Sequence, residues 1–326
     1  MLKIKLSNLL PIYPLLRQTP EGNGIWGGCQ FYYNQPIEEC DAWVVYGGLP
    51  SEEKVRCSSR NTIFIAGEPP SVTQHKRQFL DQFGTKITTQ KKSDDHTLIT
   101  NPALPWMIGV KFDFSKPGVP IKPDSLDYSF FKNHQINKTQ RLSVIVSSRK
   151  VTAGHTLRIK FIEQLQAHFK DKIHIYGKGF HTLEDKWDGI APYQYTIALE
   201  NSVYPHYWTE KLSDAFLGEA YPIYYGAPDI FDYFGQDSLS CIDITKPKEA
   251  IQTIEQIMSE NLFETHRNAI LRAKKLVLDQ YNLFAVIEKI VNDRLDLNAA
   301  KKDITLYPES HFVHPIKKWV ASLIYR

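Results

Sequence analysis

Residues 195–226 read YTIALENSVYPHYWTEKLSDAFLGEAYPIYYG, and three signals in that stretch set a local order of elements. The β-rich run 195–199 predicts a strand that ends at Glu200, Asn201 and Ser202. Thr209 then stands where a helix N-cap belongs, ahead of Glu210 and Lys211, with Leu212, Phe216 and Leu217 spaced to share one inward face. A second apolar run, 221–225, predicts the next strand, closed by Gly226. Strand, helix and strand in this order make the repeating unit of a parallel sheet.

The same alternation extends outward. Upstream lie a strand signal at 142–147, a helix on which Leu157, Phe161, Leu165 and Phe169 recur every four residues, and a strand at 173–176. Downstream, 248–295 reads as helical. This alternation predicts an α/β unit whose parallel sheet is covered by helices. Earlier in the chain, 42–46, 62–66 and 85–89 are short apolar runs bounded by Gly, Pro, Ser or Asn and read as strands. Pro102, Pro105, Pro117, Pro120 and Pro123 exclude a long helix between them. The polar stretch 132–140 (KNHQINKTQ) sets the expected lobe boundary, giving an N-terminal lobe 1–139, a C-terminal lobe 140–300 and a tail 301–326.

The 326 residues allow two lobes, and 42% hydrophobic against 23% charged residues excludes collagen-like, coiled-coil and mainly disordered chains. Lys and Arg outnumber Asp and Glu by 39 to 36, a +3 balance too mild to imply nucleic acid as a partner. Cys29, Cys40, Cys57 and Cys241 form no C-x-x-C pair and read as buried reduced thiols. The opening MLKIKLSNLLPIYPLL is broken by Pro11 and Pro14 and reads as a first strand and loop rather than a signal peptide, and no uncharged run is long enough to span a bilayer. The expected compartment is the cytoplasm. The tail 310–326 (SHFVHPIKKWVASLIYR) mixes Lys317, Lys318 and Arg326 with Phe312, Trp319 and Leu323. It reads either as packing back onto the other lobe or as a peripheral contact with the inner face of an anionic membrane.

A helix start at 209–211 presents free N–H groups and the positive end of a dipole, which with Lys211 suits a phosphate. Simple solvent exposure of Lys211 accounts for the same pattern. His168 with His174, and His311 with His314, lack the partners a metal site needs, and there is no H-E-x-x-H or G-x-S-x-G motif. D-x-D, the triplet by which many sugar-nucleotide transferases hold a divalent ion, is also missing.

The pattern E-N-S-x(4)-Y-x-T-E-K at 200–211, followed by a helix and YPIYYGAPDI at 221–230, resembles the signature of the family 10 α-1,3/4-fucosyltransferases. Weaker pieces fall in the family's order: IFIAGEPP at 63–70, VIVSSRK at 144–150 leading to Arg158, and IYGKG at 175–179. The resemblance implies a GT-B architecture, two Rossmann-like lobes facing across a cleft, and an inverting transfer of L-fucose from GDP-fucose to a hydroxyl of a glycan acceptor. It further implies an α-1,3 or α-1,4 linkage on a surface polysaccharide or lipopolysaccharide, with no cofactor beyond the donor and no metal. By the same resemblance Glu68 is the general base, Arg158 and Lys211 hold the pyrophosphate, and Glu210, Asn201, Tyr207 and Tyr225 contact the nucleotide or sugar. Two other readings stand beside it: the same fold with a different nucleotide-sugar donor, and a catalytically silent glycan- or nucleotide-binding protein.

Overall fold

Runs of β-branched and aromatic residues build the strands of a computed structural model that describes residues 1–9, 13–90, 94–113, 121–122, 124–147 and 153–312. Two α/β units emerge, one of Met1–Pro11, Gly24–Pro102 and Ile287–Arg326, the other of Ile12–Asn23 and Ala103–Val286.

In the first unit the strands are β1 (Leu2–Asn8), β2 (Ile25–Trp26), β3 (Cys29–Tyr33), β4 (Ala42–Tyr46), β5 (Glu53–Cys57), β6 (Thr62–Ile65), β7 (Thr85–Thr88) and β8 (Thr97–Ile99). Seven of them form one sheet in the order β2-β3-β1-β4-β6-β7-β8. All its pairings are parallel except that of β2 with β3. Every residue of β4, β6 and β7 is buried, as parallel strands covered on both faces require, which is why AWVVY and TIFI show no polar alternation. The strand β5 pairs instead with Lys302–Leu306, antiparallel, with Val55 opposite Ile304. Trp43, Phe64, Leu306, and Phe79 and Phe83 from in and after the short helix α1 (Arg77–Leu80) share one core.

The second unit contains α2 (Tyr128–Asn133), β9 (Gln140–Ile145), α3 (Ala153–Phe169), β10 (His174–Tyr176), α4 (Trp187–Ile190), β11 (Tyr193–Leu199), α5 (Glu210–Leu217), β12 (Tyr221–Tyr225) and β13 (Ser240–Cys241). The helical stretch then resolves into α6 (Pro247–Ser259), α7 (Leu262–Thr265), α8 (Arg267–Asp279) and α9 (Leu283–Arg294). Its sheet runs β10-β9-β11-β12-β13, parallel throughout. Phe161, Leu165 and Phe169 of α3 are buried, as the spacing of four asks. Each unit is thus built on a mainly parallel sheet, as the α/β class expected from the sequence requires.

The segment 12–23 belongs to the second unit because polar side chains tie it there. Buried Arg17 and Tyr13 both donate to the carbonyl of Trp106, Gln18 Oε1 accepts from the Trp106 N–H at 2.9 Å, and Asn282 donates to the Gln18 carbonyl at 2.7 Å. Three of the cysteines are buried as expected, but Cys241, in the short strand β13, is exposed. No helix among the described residues is long and apolar enough to cross a membrane. The tail residues 313–326, which carry Lys317, Lys318, Trp319 and Arg326, lie outside the described residues.

Lys138 carries a pH dependence. Its ammonium donates to the carbonyls of Ala191 (2.9 Å) and Gly218 (2.5 Å), which follow α4 and α5. Burial pulls its pKa down to about 7, against the opposing charge of Glu219. An unfolded lysine titrates near ~10.4, so between the two values the unfolded chain binds a proton that the folded one does not, and stability rises with pH. The thermal midpoint is expected to climb from pH 7 to pH 9, and Lys138→Met should flatten that climb; an equal slope in both proteins would remove Lys138 as its source.

Candidate functional site

In the second sheet the chain leaves β9 toward β10 on one side and returns to β11 on the other. Open α/β sheets bind ligands at this reversal, in the crevice outside the carboxyl ends of the strands. The first turns of α3, the loop after β11 with the start of α5, and the end of β12 meet there, and they carry six of the seven residues singled out in the sequence.

Glu200 follows β11 directly and is fully buried. Its Oε1 accepts from the Thr209 N–H and its Oε2 from the Thr209 hydroxyl, both at 2.8 Å, so one carboxylate fixes the residue that starts α5. Thr209 in turn accepts from the Lys211 N–H at 3.3 Å, the N-cap bond expected from the sequence. Two close approaches make room for this. A Cβ on Gly226 would come within 2.5 Å of Glu200 Cγ, and one on Gly154 within 2.0 Å of the Asn201 carbonyl. Only glycine fits where α3 and the end of β12 press on this loop.

The ammonium of Lys211 lies 3.1 Å from Glu210 and 3.5 Å from Glu200. That of Lys186 lies 3.4 Å from Glu210 and 2.8 Å from Asp214. Asp214 is fully buried and accepts from the N–H groups of Met107 (2.9 Å) and Ile108 (3.1 Å). Burial would raise the Glu210 carboxyl, yet Lys211 and Lys186 hold it well below the usual carboxylate range. Burial works against charge on the two lysines as well, and Glu210 with Glu200 at Lys211, and Asp214 with Glu210 at Lys186, outweigh it and raise both. Glu200 and Asp214 are pushed up by burial, with the lysines opposing. Both lysine side chains keep 23% of their surface open, so each remains a cation within reach of a ligand.

Arg158 sits in the second turn of α3 and is only 4% exposed. Its Nη1 donates to the Leu199 carbonyl at 3.0 Å, and its buried Nε has no partner among the described residues. Burial lowers its pKa, and Glu200, Glu210 and Tyr207 lie near enough to oppose that electrostatically. Tyr207 is buried and its hydroxyl donates to Asn201 Oδ1 at 3.3 Å. Tyr225 joins through its backbone, its carbonyl accepting from the Glu200 N–H at 2.8 Å. Arg158, Asn201, Tyr207, Glu210, Lys211 and Tyr225 therefore gather around Glu200, which sequence reading left unassigned, along with Lys186 and Asp214.

Glu68 lies in the first unit, exposed, three residues beyond the end of the buried strand β6. Its carbonyl accepts from Gln90 Nε2 at 3.4 Å.

A doubly wound unit whose charged residues collect at the switch point has the architecture of a nucleotide-binding lobe. Residues 136–264 match the sequence model described as Glycosyltransferase family 10 (fucosyltransferase) C-term. The matched stretch lies within the second unit and marks it as a glycosyltransferase domain. No curated protein sequence matches it significantly. Among solved structures, an α1,3-fucosyltransferase crystal structure is similar at 18% identity with a TM-score of 0.49, covering 90% of this chain and 89% of that one. One of an α1,3-fucosyltransferase with GDP-fucose is similar at 17% identity with a TM-score of 0.47, covering 85% and 90%.

Proposed function

We propose that the protein transfers L-fucose from GDP-fucose to a hydroxyl of a glycan acceptor, with inversion and in α-1,3 or α-1,4 linkage. The observation that carries this reading is Arg158: a guanidinium 4% exposed at the switch point, with a buried Nε that lacks a partner among the described residues. A buried charged donor is costly unless something accepts from it, and phosphate oxygens match the planar fork of arginine. Lys211, at the start of α5, supplies a second cation beside it.

In the reaction so read, the acceptor oxygen attacks C1 of fucose as the bond from C1 to the β-phosphate oxygen breaks. The hydroxyl proton passes to the Glu68 carboxylate, and GDP leaves with its new negative charge met by Arg158 and Lys211. Glu210, Asn201, Tyr207 and Tyr225 contact the nucleotide or sugar. The first unit, with Glu68, takes the acceptor, and the second takes the donor.

Calorimetric titration with GDP-fucose, GDP-mannose and UDP-galactose tests the donor, and selective binding of GDP-fucose is the expected result. Arg158→Ala should weaken that binding by about 10- to 100-fold, the worth of one or two charge-assisted hydrogen bonds. Equal affinity for the three donors would move the donor assignment, and an unaltered dissociation constant in Arg158→Ala would take the arginine out of the site.

A further inference from the structure

The residues after Lys302–Leu306 lock onto the loop that leads away from Glu68. Tyr307 and Gln82 exchange two hydrogen bonds, the Tyr307 N–H to Gln82 Oε1 at 2.8 Å and Gln82 Nε2 to the Tyr307 carbonyl at 3.1 Å. Glu309 then places one oxygen 2.6 Å from the Lys76 N–H and the other 2.9 Å from His75 Nδ1. The Lys76 ammonium closes the contact on the Phe312 carbonyl at 3.1 Å. The His75 side chain is only 7% exposed, and its ring stands edge-on to Phe64 of β6 with centroids 4.8 Å apart.

Between Glu68 and His75 the chain has little slack. The N–H groups of Val72 and Thr73 both bond the Pro69 carbonyl, at 2.9 and 3.1 Å. Gln90 Nε2 bridges the carbonyls of Glu68 and Thr73, at 3.4 and 2.8 Å. One end of this short loop is thus held by β6 and Gln90, and the other by a carboxylate more than 230 positions along the chain.

We infer that Glu309 is a positioning residue for Glu68, making the segment 302–312 a working part of the loop that carries the base. This rests on the reading of Glu68 given above. A carboxylate that accepts both a backbone N–H and a buried imidazole fixes a loop far more tightly than the loop's own turn does, and a general base displaced by about 1 Å can lose ~100-fold in rate.

The test is a cycle of kcat values with GDP-fucose and a glycan acceptor for the native protein, Glu309→Ala, Glu68→Gln and the double variant, with donor affinity measured alongside. Glu309→Ala should lower kcat by about 10- to 100-fold with the GDP-fucose dissociation constant unchanged, and it should add less than about twofold loss in the Glu68→Gln background, since it acts through Glu68. Glu309→Gln, which keeps an acceptor for the Lys76 N–H, guards against a folding defect and should fall between Glu309→Ala and the native protein. Losses that multiply in the double variant, or a native kcat in Glu309→Ala, overturn the inference while leaving Glu68 as the base. Native activity in Glu68→Gln overturns the base assignment itself, and the inference with it.

Discussion

Glu68→Gln is expected to cut kcat for fucosyl transfer by about 100- to 10,000-fold, the usual contribution of a general base, while leaving GDP-fucose affinity unchanged. The swap is close to isosteric and removes the carboxylate's charge together with its capacity to take a proton. The hydrogen bond from Gln90 Nε2 goes to the backbone carbonyl of this residue, which the substitution retains. The strand behind it is rigid: all four residues of β6 are buried, and its continuation is tied by the Ala66 N–H to the Ile87 carbonyl at 2.9 Å. Gly67 also fits closely, since a Cβ there would lie 3.2 Å from the Tyr46 hydroxyl. The backbone that enters the loop is therefore held by the sheet, and the groups proposed for the donor stand in the other unit. Steady-state kinetics with calorimetry separates the effects. A kcat within a few-fold of native would move the base elsewhere, and a weakened dissociation constant would mean that Glu68 contacts the donor instead.

What was legible in the sequence was what short-range physics dictates. Parallel strands buried on both faces read as apolar runs between breakers, so β4, β6, β7, β11 and β12 could be located to within two residues. The Thr209 cap could be read because capping joins residues only two or three apart. Glu200 was not assigned a role because a glutamate at a strand end reads as solvent-facing, and its burial depends on the glycine at 226 and the turn to Thr209 together. Lys186 and Asp214 lie 28 positions apart, and Glu309 lies 234 from His75; nothing local marks either pair. The same holds for residues 12–23, whose Tyr13, Arg17 and Gln18 spend their polar groups on Trp106 some ninety positions away.

Glu200→Ala should be the most destabilising change in the second unit, by about 3–5 kcal/mol, the cost of removing one partner from a buried charged network. Three groups lose their acceptor at once: the Thr209 N–H, the Thr209 hydroxyl and, at 3.5 Å, the Lys211 ammonium. Glu200 is fully buried, so these groups are left without the partner that offsets their burial. The damage also reaches the donor groups. Glu200 holds the residue that caps α5, and Lys211 is held charged against burial by Glu210 and Glu200 together, so losing one anion loosens the cation that the diphosphate needs. For a unit of this size the thermal midpoint should drop by roughly 6–20 °C, and GDP-fucose binding should weaken in the protein that remains folded. Glu200→Gln keeps an acceptor for the Thr209 N–H but removes the charge facing Lys211, so it should retain most of the stability and still lose donor affinity. If both variants melted together with the native protein, Glu200 would be a bystander to the cluster, and the placement of Lys211 would have to come from Thr209 and Glu210 alone.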